Sequence, residues 1–208
     1  VMANRAAGEG AEVVGTVTSD NEAMVQRELE YILEKAKKDG TKYKVIKLVG
    51  SLTDANAIAR DNGFNAVADE NPDVFDVVSE VATEWKGELA LAGILSAFEE
   101  NPDINMIFSP SDALLPSIIS GLQQLDKYKK VGEEGHVTLV TFDGAKDAVD
   151  AIKEGNVDVV SVQDATNQAK LCIEAAVAAV KGEEVDSMTD PGLEVTADNV
   201  DELGFEGY

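Results

Sequence analysis

Short runs rich in Val, Ile and Thr alternate along the chain with longer stretches whose apolar residues recur every three to four positions. The short runs read as strands: Glu12–Thr18, Tyr43–Val49, Val74–Ala82, Ile104–Phe108, His136–Phe142 and Val157–Val162. Between them, Val25, Leu29, Ile32, Leu33 and Ala36 make one helical stripe, and Leu91, Ile94, Leu95 and Phe98 another. Ser19-Asp20-Asn21-Glu22 supplies capping residues for the first helix and Gly40 ends it. Pro116 falls in the first turns of a helix that starts near Ser111, where its missing donor costs little.

Strand–helix–strand units in series predict right-handed crossovers and a parallel sheet covered on both faces, which is a doubly wound α/β fold. Ligands of such folds sit beyond the carboxyl ends of the strands. The segments just after each strand therefore carry the functional candidates.

Composition narrows the ligand. The chain has 208 residues with 40 acidic and 17 basic side chains, a formal net charge of −23. A surface this negative repels phosphate backbones, so nucleic acid is excluded as a partner. The lysine-rich stretches 35–38 and 127–130 are expected at helix C-termini, where cations complement the dipole. No run approaches the roughly 18 to 20 apolar residues of a membrane span. The single cysteine, Cys172, rules out an internal disulfide and a thiolate metal cage. No metal and no cofactor is expected.

The loops after the strands offer carboxylates, amides, hydroxyls, one guanidinium and one indole. Gly50–Asn56 follows the second strand, with Arg60 on the helix beyond; it lacks both G-x-G-x-x-G and a phosphate-binding Gly-Lys-Ser/Thr. Asp54 near the helix entry would repel phosphate and reads first as a helix cap, with ligand binding as the second reading. Trp85, the only tryptophan, sits among polar neighbours at a strand end, which suits stacking on an apolar ligand face with the indole N–H free to donate. Ser111 and Asp112 are both good caps, Asp143 follows an apolar strand directly, and Gln163 and Asp164 follow the last one. The only histidine, His136, belongs near a strand start, so no nucleophile–base pair is apparent and no enzyme activity is expected. Carboxylates and amides beside an aromatic platform suit a neutral, polyhydroxylated ligand.

Five stretches carry a family resemblance: VGTVTSDN at 14–21, ANAIARDNGF at 55–64, NPDINMIFSPSD at 101–112, VTFDG at 140–144 and QDATNQAK at 163–170. In this order and spacing the chain resembles the type I periplasmic sugar-binding proteins of the ribose/galactose-binding family. That resemblance implies two α/β lobes joined by three crossings, with a monosaccharide held in the cleft and the closed form presented to an ABC permease. It implies that Asn4 and Arg5 grip hydroxyls from the N-terminal lobe, that Arg60 is the cleft arginine, and that Trp85 stacks on the sugar. Ser111 stands where the family usually has Asn. Asp143 matches the carboxylate that grips hydroxyls and Gln163 the amide at the second crossing; the segment 35–44 lacks the alternating acids of a calcium loop.

The resemblance also implies that most of the N-terminal lobe is missing. Residues 1–18 would be its remnant, 19–163 the complete C-terminal sugar-binding lobe, 164–189 a helix belonging to the absent lobe, and 190–208 the third crossing and tail. The opening Val1-Met2-Ala3-Asn4-Arg5 carries no basic-then-apolar leader and reads as the start of a fragment. An extracytoplasmic location follows, with membrane anchoring if the full protein is a lipoprotein. The helix around Cys172 is apolar over much of its circumference, so two chains are expected to pair through 1–18 and 164–182, or these segments to fold back on the lobe. The alternative function is the sugar-sensing core of a LacI-type regulator, which shares the fold.

Overall fold

The computed structural model describes residues 1–5, 8 and 10–208. Six strands form the main sheet: β3 (Tyr43–Val49), β4 (Phe75–Ala82), β5 (Met106–Phe108), β6 (Thr138–Asp143), β7 (Val159–Val162) and β9 (Leu193–Thr196). Their order is β4-β3-β5-β6-β7-β9, parallel throughout except for β9, which runs antiparallel to β7. Three further strands, β1 (Met2–Ala3), β2 (Thr16–Ser19) and β8 (Met188–Asp190), make a separate parallel sheet in the order β1-β2-β8.

The central strands β3, β5, β6 and β7 are buried on both sides, which is why they read as nearly continuous apolar runs, whereas the edge strand β4 is largely exposed. On one face, helices α1 (Asn21–Asp39) and α2 (Ala55–Ala68) pack Met24, Leu29, Ile32 and Phe64 on Val45, Phe108, Val140 and Phe142. On the other, α3 (Gly87–Glu100), α4 (Leu115–Gln124) and α5 (Lys146–Lys153) pack Ile94, Phe98, Leu115, Ile118 and Ile152 on Ile46, Leu48, Ile107, Leu139 and Val160. Neighbouring residues of these central strands thus serve opposite cores. The side chains Phe64 and Phe108 meet at 4.9 Å between ring centroids, and each such burial is worth roughly 1.5–3 kcal/mol. The small sheet is covered by α6 (Ala165–Val180), and α7 (Val200–Leu203) lies beside α5.

The doubly wound α/β architecture is the one the pattern predicts, and the strands expected at 43–49 and 74–82 agree within a residue. Two expectations need correction. The lysines 127–130 do not end a helix, because α4 stops at Gln124 and Lys127–Lys130 lie in the turns that follow. The first strand begins at Thr16 rather than Glu12, leaving Val13 and Val14 exposed.

Candidate functional site

Every main-sheet helix begins at the carboxyl edge of a strand, so the loops there converge. They enclose a hollow of about 240 Å³ bounded by Asn4, Arg5, Asn56, Arg60, Trp85, Ser111, Asp143 and Gln163, with Ala113 at its margin. The hollow brings seven of the eight residues singled out in the sequence into one place. Asp54 stands behind it.

Arg60 is the centre of charge. It is buried on α2 with its guanidinium carbon 3.8 Å from the centre of the Phe142 ring. Its Nε donates to Asn21 Oδ1 at 2.8 Å and its Nη1 to the Pro110 carbonyl at 2.6 Å. Nη1 also lies 3.1 Å from Asp143 Oδ1. Burial pulls the Arg60 pKa down, and the Asp143 charge opposes that pull; a guanidinium still keeps its proton at any physiological pH.

Asp143 ends β6 with φ 123°, a conformation rare for any residue with a side chain. Strain of this kind persists where neighbours over-determine the position. Here Ser111 Oγ donates to Oδ2 at 2.6 Å and Gln163 Nε2 to Oδ1 at 2.7 Å, beside Arg60. A carboxylate offers about four acceptor directions, so these three contacts leave room for a ligand hydroxyl. Gly144, with φ 97°, lets the chain pass against Val162, where a Cβ would come within 2.8 Å.

Asp112 supports this loop from beneath. Its carboxylate accepts from Thr141 Oγ1 at 2.7 Å and from the amides of Gly144 and Ala145 at 2.8 and 2.7 Å. Burial, above all, pushes its pKa up to about 7, against those hydrogen bonds. The reading of Asp112 as a helix cap identified the residue but not this role. Ser111 does cap, accepting from Ala113 N at 3.2 Å, while its hydroxyl proton goes to Asp143.

Trp85 corrects one expectation. Its indole N–H is not free: Nε1 donates to Asp54 Oδ2 at 3.2 Å. The other Asp54 oxygen accepts from Asn56 N at 2.9 Å and pairs with Arg5. Asp54 therefore caps α2 and orients both Trp85 and Arg5. Burial raises its pKa, but the Asn56 amide and Arg5 outweigh that and hold it below the usual carboxylate range. Glu84 and Trp85 both take left-handed backbone, φ 49° and 59°, and the outer atoms of the indole lie against Gly50, where any Cβ would strike them.

Three contributors carry no signal a sequence could show. Asn56 donates to Asn4 Oδ1 at 3.0 Å, joining α2 to the segment after β1. Asn21 orients Arg60, although its place beside the Asp20 cap marks it only as a capping residue. Ser19 donates to Gln163 Oε1 at 2.9 Å and accepts from Gln168 Nε2 at 2.7 Å. Asp190 closes the chain of contacts by accepting from the Asp164 amide at 3.1 Å and from Asn167 Nδ2 at 2.8 Å. These bonds tie together the three passages between the small and large sheets.

A polar hollow at the strand ends of a doubly wound lobe, beside a bundle of passages to a second sheet, defines a type I binding-protein lobe. The chain matches the periplasmic binding protein domain family over residues 1–184 and belongs to it. A xylitol-binding protein of Mycolicibacterium smegmatis is 30% identical over 207 residues, 97% of this chain and 55% of that protein. A D-apiose import binding protein of Actinobacillus succinogenes is 27% identical over 76% of this chain and 47% of its own length. The chain thus spans about half the length of these relatives. In fold, it superposes with a TM-score of 0.80 on an ABC transporter solute binding protein from Bacillus halodurans solved with bound myo-inositol, at 23% identity, covering 97% of this chain and 67% of that one.

Proposed function

We propose that the chain is the C-terminal ligand-gripping lobe (19–163) of an ABC-importer solute-binding protein, together with pieces of its second lobe (1–18 and 164–189) and a third crossing and tail (190–208). Its ligand is a neutral monosaccharide or polyol. The observation that carries the reading is Asp143: its charge is balanced by buried Arg60, yet the carboxylate keeps acceptor capacity facing the hollow. A carboxylate so held takes hydroxyl donors and turns away phosphates and carboxylates. The half-buried Trp85 ring supplies the apolar face that ring C–H groups stack on. Relatives that bind xylitol or import D-apiose support the same ligand class.

The same geometry supports a reading of binding rather than catalysis. His136 sits at the opposite end of the sheet, paired with Asp158 at 2.9 Å. Asp112 is buried beneath the loop that it holds through three hydrogen bonds and does not line the hollow. Delivery to an ABC permease and an extracytoplasmic location belong to this reading. So does pairing of two chains through 1–18 and 164–182, which the exposed Ile173, Val177 and Val180 of α6 support.

Calorimetry on this chain with xylitol, D-apiose and myo-inositol tests the reading. The expected dissociation constant is about 1 mM, or about 4 kcal/mol, because much of the cleft wall belongs to the absent lobe. Trp85→Ala should remove measurable binding. No heat from any neutral polyol, or equal binding of a sugar phosphate, would sink the ligand class. Micromolar affinity would sink the division into a lobe and pieces.

A further inference from the structure

The segment Phe205–Tyr208 returns to the rim of the hollow, and its last residue touches both loops that carry the Asp143–Gln163 pair. The backbone of Tyr208 spans the loop after β6: its N–H donates to the Gly144 carbonyl at 3.2 Å, and its carbonyl accepts from Lys146 N at 3.1 Å. The second bond satisfies an amide in the first turn of α5, a helix whose N-cap, Ala145, makes no side-chain capping bond. The hydroxyl spans the passage after β7. It donates to the Gln163 carbonyl and accepts from Ala165 N at 2.8 Å.

Three other contacts fix the segment. Phe205 meets the Tyr208 ring edge-on at 5.4 Å and packs against the large core. Glu206 pairs with Lys153 at 3.1 Å. Gly207, at φ 83°, passes the Lys146 backbone so closely that a Cβ would overlap it.

We propose that Tyr208 is a positioning residue for ligand binding: beyond the last ladder bond it ties the loop after Asp143 to the passage that carries Gln163, and so sets the Gln163 side chain against Asp143. Asp143, the last residue of β6, pairs with Val162, and Gln163 N donates to its carbonyl at 3.0 Å; the ladder ends there, and the residues beyond it on both chains need other ties. Their mutual 2.7 Å bond depends on both loops keeping station. Tyr208 bonds to both loops beyond that pair. The proposal rests on the ligand reading given above, since it is for that ligand that the pair must be in place.

The test is Tyr208→Phe in the full chain, which keeps the ring and its packing and deletes only the two hydroxyl bonds. A role confined to capping α5 runs through the backbone, which the substitution leaves intact, and predicts no change in Gln163. The positioning role predicts that the Gln163 side-chain amide resonance moves in ligand-free protein and that xylitol affinity falls about 5-fold, the scale of one or two lost hydrogen bonds. The thermal midpoint should stay within a few degrees. An unmoved Gln163 resonance overturns the proposal, as does a moved resonance with unchanged affinity. Gly207→Ala, which displaces the segment without removing the hydroxyl, should shift the same resonance. If the unaltered chain binds no polyol, the functional reading fails, while the Gln163 resonance still decides whether Tyr208 sets that side chain.

Discussion

Glu28 is an acid placed where charge is costly. It lies on α1 fully buried, with Oε1 accepting from Ser161 N at 2.7 Å and Oε2 without a partner among the described residues. Burial pushes its pKa well above the carboxylate range; the Ser161 hydrogen bonds oppose this, and the Glu194 and Asp112 charges reinforce it. The folded state therefore holds this proton more tightly than the unfolded chain does. Its contribution to stability is full below the unfolded carboxyl's pKa and declines as pH rises from there through the folded value, by at most about 1.4 kcal/mol per pH unit. Glu28→Gln keeps the Oε1 acceptor and loses the titration, so urea unfolding should find it at least as stable as the parent at pH 8, with the advantage shrinking toward pH 5. A variant clearly weaker at pH 8 would mean that the carboxylate is ionised and used. Asp112, pushed up to about 7, adds a component of the same sign. Such residues mark the limit of sequence reading at this scale. Asp143, Gln163 and Ser111 could be chosen by position, since strand ends collect ligands. The partners of Arg60 could not, because Asn21 lies 39 positions away and reads as part of a helix cap.

Between elements, the decisive contact is α1 on α2, and it passes through Gly63. A Cβ there would overlap the Glu22 carbonyl and lie 3.0 Å from Val25 Cβ, so the helices approach closely only because Gly63 has none. Gly63→Ala gains up to about 1 kcal/mol of helix propensity and loses roughly 1–3 kcal/mol to overpacking. The net expectation is destabilisation, read as a lower thermal midpoint. Polyol affinity should fall with it, since Asn21 on α1 holds Arg60 on α2. An alanine variant as stable as the parent would show that the two helices slide apart without cost. The fold was legible where elements are long and apolar: β3, α1 and α3 announce themselves by period. β1, β8 and β9 were not, for a physical reason. They are two to four residues long, too short for a period, and β8 (Met-Thr-Asp) is held by register with Val17–Ser19 rather than by its own propensity. The polar turn 84–85 likewise hides how Trp85 is aimed, because its left-handed backbone and the gap over Gly50 appear only in three dimensions.

Taken whole, the molecule joins a thick, doubly covered sheet to a thin one. The large unit buries two apolar clusters, whereas the small unit contributes Val17 and Ala175 to the core and leaves Ile173 66%, Val177 47% and Val180 90% exposed on α6. A three-stranded sheet covered on one face is near the lower limit of independent stability. Its cohesion therefore depends on the polar chain Gln163–Ser19–Gln168–Asp190, and the proposed pairing of chains would add cover over α6. Opening free energies should differ accordingly. Amide exchange in β2 and α6 is expected to run through low-energy openings, while β3 and β6 exchange only near the global limit. Pairing of chains through α6 would change this in a defined way. The net charge of −23 opposes association, and salt screens it within a Debye length of about 8 Å at physiological ionic strength. Protection of α6 should then rise with protein concentration and rise further with added salt, while β3 stays unaffected. Protection of α6 equal to that of β3 at every concentration would show the small unit to be self-sufficient, and the argument for a covering partner would end there.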